Sequence, residues 1–202
     1  FVAHEPSAPE HGLALWPAAR ALAAFVAAHP APFVRPNALV IELGAGPGLP
    51  GITAAAVHNC NVLLTDIGDR VLAQCRANVA RNSLTHRCTV AALDWTAPGT
   101  VAPAGADVVL ASDCIYDDNS DVHEDLLAVI HDLLDRRRQR ATRSANEGCA
   151  FLAYRERNSD RSIAHLLRLW RLRARFVACI DVHDVVDETQ PTWIVEITLD
   201  TS

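Results

Sequence analysis

The chain has 202 residues, of which half are apolar and 21% are charged, and its formal net charge is −6. This composition excludes a disordered chain, and the acidic balance argues against general nucleic-acid binding. The length suits one domain with a core of its own. We therefore expect a single domain over 1–202, with 1–11 as an N-terminal arm.

Helices and strands alternate along most of the chain. Apolar residues recur either at helical spacing or in short continuous runs, and Pro, Gly and Asn separate these segments. In chain order, the pattern predicts a helix over 17–28, then strand 38–43, helix 49–58, strand 61–65, helix 69–81, strands 88–93 and 106–111, helix 122–134, strand 149–154, helix 162–172, and strands 176–182 and 193–199.

The alternation of strand and helix is typical of βαβ units and a parallel sheet. The last two strands have no helix between them. About ten residues, including Pro191, join them, which is too short for a parallel crossover, so they should pair antiparallel. We predict an α/β, Rossmann-like fold of three layers, with a mostly parallel seven-stranded sheet and an antiparallel last strand.

A glycine-rich loop, ELGAGPG over 42–48, follows the first strand. The run 46–51 also matches GxGxxG, with Asp66 near the distance expected of a ribose carboxylate, which would suit a nicotinamide dinucleotide. Glu42 before the first glycine points elsewhere. So do Pro47 and Pro50, because proline lacks the N–H donor that a pyrophosphate would use. S-adenosylmethionine carries no phosphate, so we favour it as the cofactor, with S-adenosylhomocysteine as the product.

The ends of the predicted strands supply the other cofactor contacts, since open α/β sheets bind ligands at their carboxyl edge. We expect Asp66 to accept both ribose hydroxyls, and Glu42 to lie near the ammonium group of the cofactor, through water. Asp94 is placed to accept from the adenine amine, and Trp95 to stack on or border the ring. The methionine part is expected to lie against three loop residues, Gly44, Ala45 and Gly46.

Four motifs occur in a fixed order: Leu15-Trp16-Pro17, the loop at 42–48, Leu93-Asp94-Trp95, and Asp113-Cys114-Ile115-Tyr116. With them the chain resembles the family-16, lysine methyltransferase-like proteins, a group of class I seven-β-strand methyltransferases, from about 12 to 199. The resemblance implies that Trp16 lies near the cofactor and that Ser112 belongs to the cofactor side of the site. It also implies a cytoplasmic enzyme that modifies a protein, such as a chaperone or translation factor.

The resemblance assigns catalysis to Asp113 and Tyr116, and most simply to a lysine acceptor. A lysine must lose its proton before it accepts a methyl group, and burial beside the cofactor's sulfonium would lower its pKa. Asp113 would then orient the amine and help pass the proton to water. Tyr116 would form the wall of the pocket and pack against the lysine stem.

Other acceptors and functions stay open. Some relatives with a similar Leu-Pro-Gly after the loop, here 49–51, are described as arginine methyltransferases, and Asp117 and Asp118 could face a guanidinium. Others carry a nicotinamide N-methyltransferase label, which implies a small-molecule acceptor. A catalytically silent S-adenosylmethionine-binding interaction protein is a further alternative, whereas Glu42, Pro47 and the terminal hairpin disfavour a dinucleotide oxidoreductase.

Several partners are not expected. The histidines show no HxxxH or HExxH spacing and the six cysteines form no CxxC pair, so we predict no metal site and reduced thiols. We expect no nucleic acid, no membrane span and a monomer. The arginines over 136–143 are interpreted as a solvated helix end and loop, with a docking surface for an acidic partner as the alternative.

Overall fold

The structure is a computed structural model, and it describes residues 2–3, 11–35, 37–98, 105–115, 120–140, 147–155, 163–181 and 191–201. A short 3-10 helix at His11–Leu13 precedes the main elements. The helices are α1 (Pro17–Ala28), α2 (Leu49–His58), α3 (Asp69–Arg81), α4 (Ser120–Arg140) and α5 (Ala164–Leu169). The strands are β1 (Leu39–Leu43), β2 (Asn61–Asp66), β3 (Cys88–Ala92), β4 (Val108–Ser112), β5 (Cys149–Arg155), β6 (Leu172–Asp181) and β7 (Pro191–Leu199).

The described strands form one seven-stranded sheet in the order β3-β2-β1-β4-β5-β7-β6. The first five strands run parallel, whereas β7 pairs antiparallel with both β5 and β6. The prediction of a mostly parallel sheet with an antiparallel last strand is therefore confirmed. The order reverses between β1 and β4, which is where an open α/β sheet forms a ligand crevice.

Buried side chains form two clusters, one on each face of the sheet. Val108 and Leu110 of β4 pack in one cluster with residues of α1, α2 and α3, while Val109 and Ala111 pack in the other with α4 and α5. Successive residues of a strand point to opposite faces, so a continuous apolar run can supply both clusters. This arrangement is the three-layer sandwich that the sequence predicts.

The predicted ends of α4 and α5 were wrong, and β6 begins at Leu172 instead of 176. Helix α4 continues to Arg140 instead of ending at 134, because Arg137 Nε donates to Asp107 Oδ1 at 2.6 Å and ties the helix end to the sheet. Helix α5 covers only 164–169 instead of 162–172. It ends early because Arg171 adopts a left-handed conformation, with φ of +48°, and the chain enters β6 at Leu172.

The predicted arm 1–11 lies mostly outside the described residues. Its described part is held in place, since the backbone N–H of Ala3 donates to Asn78 Oδ1 at 3.0 Å. By length and composition alone, one stretch of the described chain, His11–Ala28, is apolar enough to cross a membrane. Half of that stretch is buried inside the protein, and a helix of the core passes the same test, so it gives little support to a membrane span.

Candidate functional site

A cavity of about 780 Å³ opens at the carboxyl edge of the parallel strands. The ends of β1, β2 and β4 and the segment after β3 form its floor, and the chain before α1 and the start of α4 form its sides. Eight predicted cofactor residues line it: Trp16, Gly44, Ala45, Gly46, Asp66, Asp94, Trp95 and Ser112. The structure thus brings together residues that the sequence separates by almost one hundred positions.

The glycines of the loop permit close approach of other groups. Gly44 and Gly46 have φ of +59° and +51°, a region that side-chain-bearing residues seldom adopt. A Cβ on Gly44 would lie 2.9 Å from Cys114 Sγ and 3.3 Å from Trp95 Cζ2, and one on Gly46 would lie 3.0 Å from the Gly12 carbonyl oxygen. A side chain at either position would therefore displace the walls of the cavity.

The loop has few N–H groups left for a phosphate. The Ala45 N–H donates to the Thr65 carbonyl at 2.9 Å and that of Gly46 to Asp66 Oδ2 at 2.7 Å. At the start of α2, the Gly51 N–H donates to Glu42 Oε2 at 2.8 Å. Pro47 and Pro50 have no N–H at all. Since these first-turn donors are what binds a pyrophosphate, the loop fits a cofactor without phosphate.

Asp66 lies at the end of β2 and lines the cavity, as predicted. Its carboxylate accepts from the N–H groups of Gly46 and Ile67, both at 2.7 Å. Burial raises the pKa of Asp66 above its ordinary value, against the opposing effect of these two hydrogen bonds. Each carboxylate oxygen can accept more than one hydrogen bond, so the group can still receive ribose hydroxyls.

Glu42 lies beneath the cavity and does not line it. Its side chain is fully buried under α2, where Oε2 accepts from Gly51, and Oε1 has no partner among the described residues. Burial raises its pKa to about 8. Glu42 thus has no direct access to the cavity, and its expected position near the cofactor's ammonium group, through water, stays a prediction. The carboxyl group instead supports the loop from below.

Trp16, Asp94 and Trp95 line the part of the cavity where the adenine and methionine ends of the cofactor are predicted to lie. Trp95 is half-buried with its ring edge against Gly44, and Trp16 donates from Nε1 to the His11 carbonyl at 3.1 Å. Asp94 Oδ1 accepts from the backbone N–H and the hydroxyl of Thr96, at 2.9 and 2.8 Å. Two hydrogen bonds from Thr96, chiefly the one from its hydroxyl and less the one from its N–H, lower the pKa of Asp94. Asp94 is therefore a carboxylate at neutral pH.

Asp113 follows β4 in a strained conformation. It has φ of +55°, it is only 6% exposed, and its N–H donates to the Ala153 carbonyl at 2.8 Å. Strain of this kind persists only where the surroundings impose it, and it is common at functional sites. Asp113 lines the cavity next to Ser112 and Cys114. Tyr116, like Asp117 and Asp118, lies outside the described residues.

Two polar residues near the cavity were not predicted from the sequence. Asp125 lines the cavity together with Val122, one helical turn before it on α4, and its carboxyl group makes no hydrogen bond or ion pair to another described residue. Asn78 is fully buried on α3, and its Nδ2 donates to the carbonyls of Pro47 and Ala3, both at 2.9 Å. A polar residue within the apolar stripe of a predicted helix is the signal that could have identified Asn78.

The cavity is acidic. Four carboxylates line it, and no arginine does so among the described residues; His11 is the basic residue at its rim. The four are Asp66, Asp94, Asp113 and Asp125. No group of three or more His, Cys, Asp or Glu in the described ranges could hold a metal ion. Such a field fits S-adenosylmethionine, which carries a sulfonium and an ammonium, and opposes a dinucleotide pyrophosphate.

Comparison with known proteins agrees with this geometry. A sequence profile described as lysine methyltransferase matches residues 2–163. The chain is 29% identical over 185 residues to human "Histone-arginine methyltransferase METTL23", covering 88% of this chain and 90% of that protein. It is 38% identical over 120 residues to human "Protein-lysine N-methyltransferase EEF2KMT", covering 52% of this chain but only 36% of that protein.

The fold is also found in solved structures. A precorrin-6y C5,15-methyltransferase from Geobacter metallireducens superposes with a TM-score of 0.59, covering 87% of this chain and 86% of that one, at 15% sequence identity. The sheet order, a glycine loop with few N–H groups left for a phosphate and a family profile over most of the length agree with one another. The chain therefore belongs to the lysine methyltransferase family of class I methyltransferases, and its cofactor is S-adenosylmethionine.

Proposed function

We propose that the protein transfers a methyl group from S-adenosylmethionine to a nitrogen of a protein side chain, with lysine as the first candidate acceptor. The observation that carries this proposal is the acidic cavity, in which Asp113 lies at the end of β4 near the glycine-rich loop. A cationic side chain is attracted to such a cavity, and a phosphate-bearing or acidic acceptor is repelled.

The residues divide the work between binding and alignment. When bound, the cofactor would supply a methyl group on a sulfonium, and an acceptor nitrogen in line with the carbon–sulfur bond would take that methyl group as S-adenosylhomocysteine leaves. Gly44 and Gly46 leave room for its methionine part, Asp66 accepts from its ribose, and Trp95 borders its base. The protein then has mainly to hold the acceptor nitrogen on the far side of the methyl group.

Asp113 is the residue placed to handle the acceptor. With an ordinary pKa of ~10.4, a lysine amine is almost wholly protonated at neutral pH. A carboxylate alone would stabilise that charged form, so the lysine pKa has to fall through burial and the nearby sulfonium. Asp113 then orients the neutral amine and passes its released proton to water, and Tyr116 is proposed as the wall of this pocket.

Arginine is the second candidate acceptor, because a specific observation favours it. Asp125 gives the cavity another carboxylate near its α4 side, and a guanidinium presents donors on more than one edge. The long match to METTL23, named as an arginine methyltransferase, points in the same direction.

As a wider proposal, the protein acts as a cytoplasmic monomer on a protein such as a chaperone or translation factor.

The first experiment is a calorimetric titration with S-adenosylhomocysteine, with NAD as the parallel control. Micromolar binding of the former alone supports the proposed site, whereas binding of NAD instead would overturn it. Labelled S-adenosylmethionine is then supplied with cell extract, and the acid hydrolysate is analysed for methyl-lysine and methyl-arginine. Nicotinamide is added in a parallel reaction. Label found only on nicotinamide would refute the proposed protein acceptor and show that the acceptor is a small molecule.

A further inference from the structure

A second cavity, of about 300 Å³, lies at the opposite edge of the sheet from the cofactor cavity. Ala38, which precedes β1, Asn61, the first residue of β2, and Arg87, which precedes β3, all line it. It is therefore formed at the amino ends of three neighbouring parallel strands. The proposed methyl transfer, at their carboxyl ends, makes no use of this cavity.

Arg87 is a partly buried cation without a carboxylate partner in the described part of the chain. Its Nη1 donates to the Asn59 carbonyl at 2.7 Å, while its Nε is buried and bonds to no described group. A guanidinium cannot release its proton in a protein, and a charge withdrawn from water is costly unless an opposite charge faces it. The positive charge of Arg87 is thus not balanced by an anionic group among the described residues.

Arg35 brings a second guanidinium to the same cavity. The distance from its Nη1 to Asp107 Oδ1 is 4.0 Å, and that oxygen already receives Arg137 Nε at 2.6 Å. The other oxygen of Asp107 accepts from the Leu39 N–H at 3.0 Å. Asp107 is therefore shared by Arg35, by the end of α4 and by β1 at this edge of the sheet.

The remaining polar lining includes three asparagine amides and the imidazole of His58. Asn37 and Asn59 both adopt left-handed conformations, with φ of +57° and +59°, at turns on the rim, and the amide of Asn61 lies at the start of β2. No Asp or Glu is among the described residues that line the cavity. We propose that this cavity is a binding site for a phosphate-sized oxyanion, held between Arg35 and Arg87.

The chemistry that recognises such a ligand is charge-assisted hydrogen bonding from two guanidinium groups, which present paired donors to tetrahedral or planar oxyanions. The ligand can be a free phosphate or the phosphate monoester of a small molecule. A titration with inorganic phosphate and one with phosphoserine distinguish these sources, because the monoester needs room beyond the rim. Sodium chloride at equal ionic strength is the control for general screening.

The test is a ¹H–¹⁵N correlation NMR titration of the whole chain with inorganic phosphate. We expect saturable shifts at residues around 35–38, 58–61 and 87, with the residues of the cofactor cavity unaffected. Shifts that grow linearly without saturation, or that sodium chloride reproduces, would overturn the site. The wild-type titration alone decides this, whether or not a variant folds.

Variants then assign the binding to the two arginines. Arg87→Gln and Arg35→Gln should each weaken phosphate binding by about tenfold or more, as expected for loss of a charge-assisted pair. Arg76→Gln is the matched control. It removes the same charge from an exposed position on α3, outside the cavity, and should leave phosphate affinity within twofold of the parent, allowing about that much for the lost charge.

The two proposals fail independently. S-adenosylhomocysteine affinity is measured on every variant, and unchanged values show that the arginine substitutions left the fold intact. Equal phosphate affinity in the parent, Arg35→Gln and Arg87→Gln proteins would refute the oxyanion site while leaving the methyltransferase proposal untouched.

Discussion

Replacing Glu42 by glutamine should change how stability depends on pH. The side chain is fully buried, and burial raises its pKa from 4.5 to about 8. Between these two values the folded protein keeps a proton that the unfolded chain releases. The free energy of unfolding must therefore fall as pH rises through this window, and the stabilisation is fully present only below the lower value.

The magnitude follows from the size of the shift. Each pH unit inside the window costs up to about 1.4 kcal/mol, so the full shift corresponds to roughly 5 kcal/mol. Glutamine has the same shape and can still accept from the Gly51 N–H, but it does not titrate. The free energy of unfolding of the variant should thus lack this slope. Its advantage over the parent should grow from about pH 5 to pH 8 and reach several kcal/mol, at most roughly 5.

The assay is urea unfolding followed by tryptophan fluorescence, without cofactor, at one-unit intervals from pH 5 to pH 8. Glu124→Gln, a change of the same charge on the partly exposed surface of α4, is the control and should leave the slope of the parent. Parallel pH profiles for the parent and Glu42→Gln would refute the reasoning, because they would show that Glu42 is already ionised inside the folded protein.

Three further substitutions test the cofactor and acceptor parts of the cavity. Asp66→Ala should weaken S-adenosylhomocysteine binding by ~1–3 kcal/mol in calorimetry, through loss of charge-assisted hydrogen bonds. Asp69→Ala, at the exposed start of α3, is the control and should leave the affinity unchanged. Equal dissociation constants for the parent and Asp66→Ala would show that the ribose does not bind at Asp66. Asp113→Asn, which tolerates the left-handed conformation, should lower kcat by about 10²-fold or more with cofactor affinity within a few-fold, and full turnover would remove Asp113 from the mechanism. Asp125→Asn should raise KM for a cationic acceptor by about tenfold with little change in kcat, in contrast to Glu124→Gln, and an unchanged KM would exclude it from acceptor binding.

Helix boundaries set by local signals were predicted correctly. Helices α1, α2 and α3 begin and end at the predicted residues. Pro lies in the first turn of α1 and α2, and the residue at the C-cap of α2 is Asn59, in a left-handed conformation. The end of α4 was not predicted, because it depends on Arg137 meeting Asp107, thirty positions earlier in the chain.

The same division holds for the site. Residues at the carboxyl end of a strand or directly after it, such as Asp66 and Asp113, could be placed from sequence, since the carboxyl ends of parallel strands meet at one edge. Asp125 and Asn78 reach the site from helices, and only packing decides which helical turn faces the cavity. Tyr116 stays a prediction, because it lies outside the described residues.

Glu42 shows at a single residue the difference between what local sequence predicts and what packing decides. Alternation along β1 puts it on the same face as Val40, and that face is covered by α2. Local sequence determined the strand, the glycine loop and the following helix, and hence the class of fold and cofactor. Only the tertiary structure decided that the helix N-terminus would close over the carboxyl group and remove it from water. Burial and charge are properties of the folded assembly, because they depend on contacts between segments that are far apart in the chain.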